Sequence, residues 1–342
     1  MRTAVRIIQI IVGVLFIVSG LVKANDPLGL AYKMQEYFEL WTSEVRGTQW
    51  LVAVIDFFDR NSLFFSLFMI TLEIVAGVAL LIGWMKRGVL YLLLSLIIFF
   101  TFLTGYAYLS GKFTNCGCFG DCIPITPRTS FIKDLVLLVL ISFLIVGQRH
   151  IQPLFSSRGR TAALLASLVL TLAFQWWVLN FLPVVDCLPF KKGNNIEAQM
   201  KPPPGSVPDS IAIRFIYEKE GKQYEFAPEA LPEDFETYNY VDRIDKVLRK
   251  GNAMPPIKGF ILKGVSDVDS TAAILQLPAA YLVFMMDNTS WMKQSAALRS
   301  LSGKAPVYLI TTTSLPQAQR LLNQHGLAQH ITVFSCDNTA IK

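Results

Sequence analysis

The chain has five cysteines: Cys116, Cys118, Cys122, Cys187 and Cys336. Three fall within Asn115-Cys116-Gly117-Cys118-Phe119-Gly120-Asp121-Cys122, and Cys187 lies just beyond a long apolar stretch. Three chemistries compete for such a set. Disulfides could staple loops and do nothing more. Four thiolates could also bind a tetrahedral metal. However, Cys-x-Cys is not the usual zinc spacing and no histidine lies nearby in sequence, so no metal is expected. The third is thiol–disulfide exchange, in which a thiolate attacks a disulfide sulfur and a neighbouring cysteine resolves the mixed disulfide. A bond across one residue closes a small, strained ring, which Gly117 best permits, and strained disulfides are the more reducible ones. Four cysteines allow three pairings. Cys336 follows an apolar segment and reads as a buried strand-end thiol.

Glu73 is the other chemical candidate. It lies near the middle of an apolar stretch, between Leu72 and Ile74. A carboxyl at that depth in a membrane is costly and marks a functional site by default. It could take a proton during quinone reduction or hydrogen-bond a quinone oxygen. The competing expectation is a structural hydrogen bond to a Thr, Ser or Tyr. Lys23 and the Lys133-Asp134 pair lie at the ends of apolar stretches and read as interfacial anchors.

Composition supplies the setting for these groups. Of 342 residues, 53% are hydrophobic and 16% charged, whereas soluble domains run near a quarter charged. The deficit is local. Residues 1–187 carry 14 Lys+Arg and 10 Asp+Glu, and residues 188–342 carry 17 and 15. The net charge of +6 is not gathered into basic runs, so no nucleic-acid partner is expected.

Five stretches approach the roughly 20 apolar residues a membrane span needs: Ala4–Val22, Ser62–Gly83, Val89–Leu109, Phe131–Val146 and Thr161–Leu182. The first resembles a signal peptide, but no small-x-small cleavage site follows it. Arg2, Arg6, Lys86, Arg87, Arg149, Arg158 and Arg160 all lie in short segments without acids. The positive-inside rule then puts the N-terminus in the cytoplasm. Five spans put the tail and all the cysteines on the opposite, oxidising side. Asp26-Pro27 predicts a helix start in the first outer connection. That helix should lie on the bundle or in the interface, the alternative being a lid over an outer-facing site.

Lys191–Ser210, with Pro202-Pro203-Pro204-Gly205, reads as a stiff linker. Ile211–Tyr217 and Gln223–Phe226 read as a β-hairpin around Glu220-Gly221, and the second half of Glu229–Lys250 as a helix. Strands at Gly259–Lys263, Tyr281–Met286, Val307–Thr312 and Ile331–Ser335 are expected, with helices at Trp291–Leu301 and Pro316–His325. This alternation implies a mostly parallel sheet.

Val18-Ser19-Gly20-Leu21-Val22-Lys23, Asp26-Pro27-Leu28-Gly29, Tyr32-Lys33 and Glu36-Tyr37 resemble the opening of DoxX/MauE-type membrane proteins. Cys116-Gly117-Cys118-Phe119-Gly120-Asp121, followed by Thr126, Ser130-Phe131 and Lys133-Asp134, resembles the MauE-like redox-associated branch. The overall layout is similar to Bacteroidetes members with an extracytoplasmic tail. The resemblance implies a four-helix membrane bundle over about residues 5–150, linked to thiol–disulfide or quinone-coupled electron transfer. The tail from about Pro256 resembles a thioredoxin-like domain without its Cys-x-x-Cys. Asp287-Asn288-Thr289-Ser290-Trp291 stands where that motif belongs, and Lys342 comes before the expected final strands, so the domain reads as degenerate or incomplete.

The expected organisation is a DoxX/MauE-like membrane domain over residues 1–150 and a cytoplasmic connection with a fifth span over 151–190. A linker with hairpin and helix over 191–255 and an α/β thioredoxin-like domain over 256–342 follow. The expected function is thiol–disulfide exchange at the outer face of the inner membrane. Cys116 and Cys118 would be the exchange pair, Cys122 and Cys187 the second pair, and Glu73 the proton or quinone group. The expected partners are the lipid bilayer and an extracytoplasmic thiol protein or envelope complex. A quinone is the one cofactor under consideration. The alternative is a non-enzymatic adaptor with static disulfides.

Overall fold

The computed structural model describes residues 1–45, 47–113, 122, 125–181, 183–219, 221–232, 234–249, 251–285, 294–312 and 314–337. The chain divides into two compact units, Met1–Leu188 and Pro189–Lys342.

The first unit is helical. Its elements are α1 (Arg2–Ala24), α2 (Pro27–Glu44), α3 (Gln49–Arg60), α4 (Ser62–Ile82), α5 (Lys86–Ser110), α6 (Pro127–Val146) and α7 (Ser157–Phe181). Of these, α1, α4, α5, α6 and α7 are long and apolar enough to cross a membrane, which makes this a multi-pass membrane protein. Helix α1 exposes Ile7, Ile10, Val14, Val18 and Leu21 along one side and buries Val5, Val12 and Phe16 on the other. The first side suits lipid, and the second packs with Leu80, Leu93, Ile97, Ile141 and Leu144 in the bundle core. Helix α7 is more peripheral. It buries Leu164, Thr171, Gln175 and Val178 and packs on α4.

Helices α1 and α4 approach closely through glycines. A Cβ on Gly13 would lie 2.5 Å from the Leu81 side chain, and one on Gly77 would lie 2.9 Å from the Gly13 carbonyl oxygen. Small residues at a membrane helix crossing let backbones approach in this way.

Helix α6 starts four residues before the apolar run does. The Thr126 side chain accepts from the Thr129 amide, and Pro127 takes the first helical position. Helix α2 starts as expected, with the Asp26 side chain accepting from the Gly29 amide at 2.9 Å. It packs on α4 and buries Ala31 and Tyr37, so it lies on the bundle. Helix α3 was not anticipated.

Among the described residues, the second unit holds two three-stranded sheets, with strand orders β2-β1-β3 and β4-β5-β6. The short helix α8 (Ile196–Gln199) comes first. Strands β1 (Ser210–Lys219) and β2 (Lys222–Phe226) form the expected antiparallel hairpin, closed by the Lys219–Lys222 pair. The expected helix after it is instead β3 (Asn239–Arg249), antiparallel to β1. Tyr240, Val241, Ile244 and Leu248 recur at helix-like spacing, but β-branched residues and an open neighbouring strand favour pairing.

Helix α9 (Thr271–Leu275) precedes β4 (Tyr281–Met285). Then come α10 (Ser295–Ser302), β5 (Val307–Thr311), α11 (Leu315–Gln324) and β6 (Ile331–Ser335). The sheet is parallel with β5 in the centre, as the alternation implied. Gly259–Lys263 is not a strand; only Lys263 makes bridges, to Asp269 and Ser335. Its alternation reflects packing, since Phe260 and Leu262 are buried. The expected linker is also partly built into this unit: Phe190, Ile196 and Met200 pack against the cluster of Phe260, Leu262, Ile310 and Phe334.

Candidate functional site

Ionisable side chains meet inside the bundle. Lys23 Nζ, near the end of α1, lies 2.5 Å from Glu73 Oε1 on α4. Ser19 Oγ, one turn back on α1, donates to Glu73 Oε2 at 3.2 Å. The ammonium also sits 4.6 Å from the centre of the Phe100 ring, within cation–π range. On α6, Asp134 accepts from Thr104 Oγ1 at 3.0 Å and lies 2.6 Å from Lys133 Nζ. Glu73 is 1% exposed and Asp134 0%. One cavity of about 30 Å³ is lined by Ser19, Lys23, Glu73, Lys133 and Asp134, with Phe16, Ile97 and Phe100 among its apolar walls.

Two cations thus balance two carboxylates, the arrangement intramembrane charges require. Glu73 has the serine partner of the structural expectation and, beyond it, a lysine. Lys23 and Asp134 are not interfacial anchors, because both are buried and paired across helices. The signal missed was the serine-to-lysine i,i+4 spacing of Ser19 and Lys23 on α1, which aims both at one carboxyl.

The cavity also tests the quinone. About 30 Å³ admits one or two waters, and both Glu73 oxygens already have partners. The site does not fit a quinone ring.

Two residues beyond Lys23, the chain meets the disulfide. Cys122 and Cys187 are bonded, with Cα atoms 5.0 Å apart. Asn25 holds this junction: its Nδ2 donates to the Val185 carbonyl at 2.8 Å, and its Oδ1 accepts from the Val185 amide at 3.0 Å. Asn25 Nδ2 is also 4.0 Å from Cys122 Sγ. Cys116 and Cys118 lie outside the described residues, as does Asp287–Trp291.

The other end of that cysteine-bearing segment is anchored by α2. Tyr37 stacks on Phe113 with ring centres 4.3 Å apart. Glu44 Oε1 accepts from Tyr106 Oη at 2.9 Å and from Lys112 Nζ at 2.7 Å. In the second unit Cys336 is a free thiol, 8% exposed, and burial pushes its pKa up.

Residues 1–147 match the family described as methylamine utilisation protein MauE. Residues 211–250 match a domain of unknown function (DUF8463). The chain is 30% identical over 169 residues to Protein TlpB of Flavobacterium psychrophilum, which is 48% of this chain and 43% of that relative. The chain therefore spans less than half the length of that curated relative. No solved structure matches. Over residues 1–147, less than half of its length, the chain is thus similar to the MauE family.

Proposed function

We propose that the protein passes electrons between thiol pairs at the extracytoplasmic face of the inner membrane. One observation carries this: the Cys122–Cys187 disulfide closes, at a point fixed by Asn25, the segment bearing Cys116 and Cys118. The exchange balances internally. A Cys116/Cys118 dithiol gives two electrons and two protons to the Cys122–Cys187 disulfide, forming one S–S bond as the other breaks. The reverse transfer uses the same atoms. A client dithiol or disulfide protein outside the membrane loads or empties the system. The positive-inside pattern supports a cytoplasmic N-terminus, and the α/β unit, of thioredoxin-like type, would position the partner.

The test is trapping with a mass-shifting alkylating agent in intact cells under oxidant and reductant. Cys116 and Cys118 should change state together. If neither changes under any condition, the relay is wrong. One observation favours the alternative adaptor with static disulfides: the second unit has no Cys-x-x-Cys, and its single thiol is buried. Under that alternative, Cys116→Ser leaves both cell phenotype and partner capture normal.

A further inference from the structure

The two sulfurs of the Cys122–Cys187 bond have unequal surroundings. Asn25 is 8% exposed, and one of its two amide N–H groups is used on the Val185 carbonyl at 2.8 Å. The same nitrogen faces Cys122 Sγ at 4.0 Å. The Val185 carbonyl oxygen, an acceptor, lies near both sulfurs, 3.9 Å from Cys122 Sγ and 3.7 Å from Cys187 Sγ, so it does not distinguish them. Among the described residues no nitrogen donor is recorded at Cys187. The other charged groups here oppose a thiolate. Asp26 lines the cavity shared by both cysteines, Asp186 precedes Cys187 in the chain, and α1 ends its dipole at this point. Lys23 is engaged with Glu73. The Asn25 amide is therefore the group able to favour negative charge on one sulfur over the other.

We infer that Asn25 polarises this disulfide, so that an incoming thiolate attacks Cys187 and Cys122 leaves as the thiolate. The inference rests on the thiol-exchange function proposed above and assigns its direction of attack. In the step, the incoming sulfur bonds to Cys187 Sγ, the Cys122–Cys187 bond breaks, and its electron pair stays on Cys122. There the Asn25 N–H group donates to it. A second thiolate from the same incoming dithiol then attacks its own partner sulfur and releases Cys187, which takes a proton. The dithiol ends as a disulfide, and its second proton goes to the Cys122 thiolate, leaving the Cys122/Cys187 pair as two thiols. Hydrogen bonds to the charged form favour it, and a leaving thiol of lower pKa leaves faster. Asn25 is a positioning residue that is also a charge-stabilising donor.

The test uses the full chain in detergent with Cys116→Ser and Cys118→Ser. The oxidised protein is pulsed with glutathione, quenched with acid and peptide-mapped. Glutathione should appear on Cys187 with about threefold preference, what a Brønsted slope near 0.5 yields for one pKa unit of leaving-group bias. Equal labelling, or labelling mainly on Cys122, overturns the inference. In the reduced protein, iodoacetamide rates against pH should show Cys122 ionising before Cys187. Asn25→Asp keeps the acceptor for the Val185 amide and loses the donor, and Asn25→Leu removes the donor without adding charge. Both should abolish the Cys187 preference and raise the Cys122 midpoint. A shift in Asn25→Asp alone overturns the donor role and leaves only charge. Retention of the Cys122–Cys187 bond in the purified variants shows that they fold. The outcome is independent of the relay: a Cys187 preference with inert Cys116 and Cys118 keeps this inference and sinks the relay.

Discussion

Lys23 on α1 and Glu73 on α4 form a 2.5 Å ion pair whose side chains are 4% and 2% exposed. Fifty residues apart in sequence, they are brought together by a helix crossing narrow enough to need Gly13 and Gly77. Removing one partner leaves an uncompensated charge in an apolar interior, at a cost of about 3–5 kcal/mol. Lys23→Met and Glu73→Leu should each sharply lower the melting temperature of the detergent-extracted protein. The double variant should recover most of the loss. Similar melting temperatures in the double and single variants would refute the pairing.

The crossing itself can be probed. Gly77→Leu places a side chain where even a Cβ meets the Gly13 carbonyl at 2.9 Å. Overpacking of this kind costs about 1–3 kcal/mol. Gly88 has open space around a Cβ, so Gly88→Ala is the control. Size-exclusion profiles after heating should separate the two, with Gly77→Leu lost first.

The membrane spans were legible because lipid imposes length and apolarity on each helix separately, and Ser62–Ile82 matches its expected range almost residue for residue. The parallel sheet was legible for the same local reason. The partners of Glu73 were not. A lysine near the end of a span reads as an anchor until the partner helix is known, and nothing local to Lys23 names α4. Helix α3 was also missed, because Asp56, Asp59 and Arg60 interrupt an apolar run that is organised by packing at Ile55 and by Phe58 against Phe38 and Phe65. Strand β3 was misread because its spacing suits either state and its partner β1 decides. The cysteines at 116, 118, 122 and 187 were visible at once, but the contacts of Asn25 were not, since they are made 160 residues away.

Glu44 and Lys112 give a pH prediction outside the membrane. Hydrogen bonds from Lys112 and then Tyr106 hold the Glu44 carboxyl below its usual 4.5, and the Glu44 hydrogen bond raises Lys112 above 10.5. A depressed carboxyl contributes fully above its unfolded value and loses that contribution as pH falls through its folded one. A raised lysine contributes fully below its unfolded value and loses that contribution as pH rises through its folded one. The clamp should therefore be flat between about pH 6 and about pH 9. Tryptic cleavage after Lys112 should follow the enzyme's own pH profile there. Glu44→Gln should accelerate it at low salt, with the difference shrinking in high salt.

Cys336 should behave unlike the cysteines of the first unit. Its thiol is buried and pushed up by burial, and the thiolate is the reactive form. After mild reduction of the native protein, Cys122 and Cys187 should alkylate well before Cys336, which should react fully only in denaturant. Equal rates in the folded state would place Cys336 among the exchange thiols.

Asp134 provides the last test, because its two partners differ in kind. Thr104 Oγ1 reaches Asp134 Oδ2 at 3.0 Å from the neighbouring helix α5, while Lys133 reaches Oδ1 from α6 itself. The hydroxyl has a carbonyl alternative, Phe100 O at 2.9 Å, but an ionised acceptor makes the stronger bond. Thr104→Val keeps the shape and deletes the donor, so the loss is that of a hydrogen bond to a charged group, about 1.5–3 kcal/mol. Thr104→Ser keeps the hydroxyl and should recover most of it. Adding Asp134→Asn to Thr104→Val should cost less than the two single losses combined, because the bond can be lost only once. Strict additivity in thermal melts would mean that the hydroxyl bonds to Phe100 and leaves the carboxylate to Lys133.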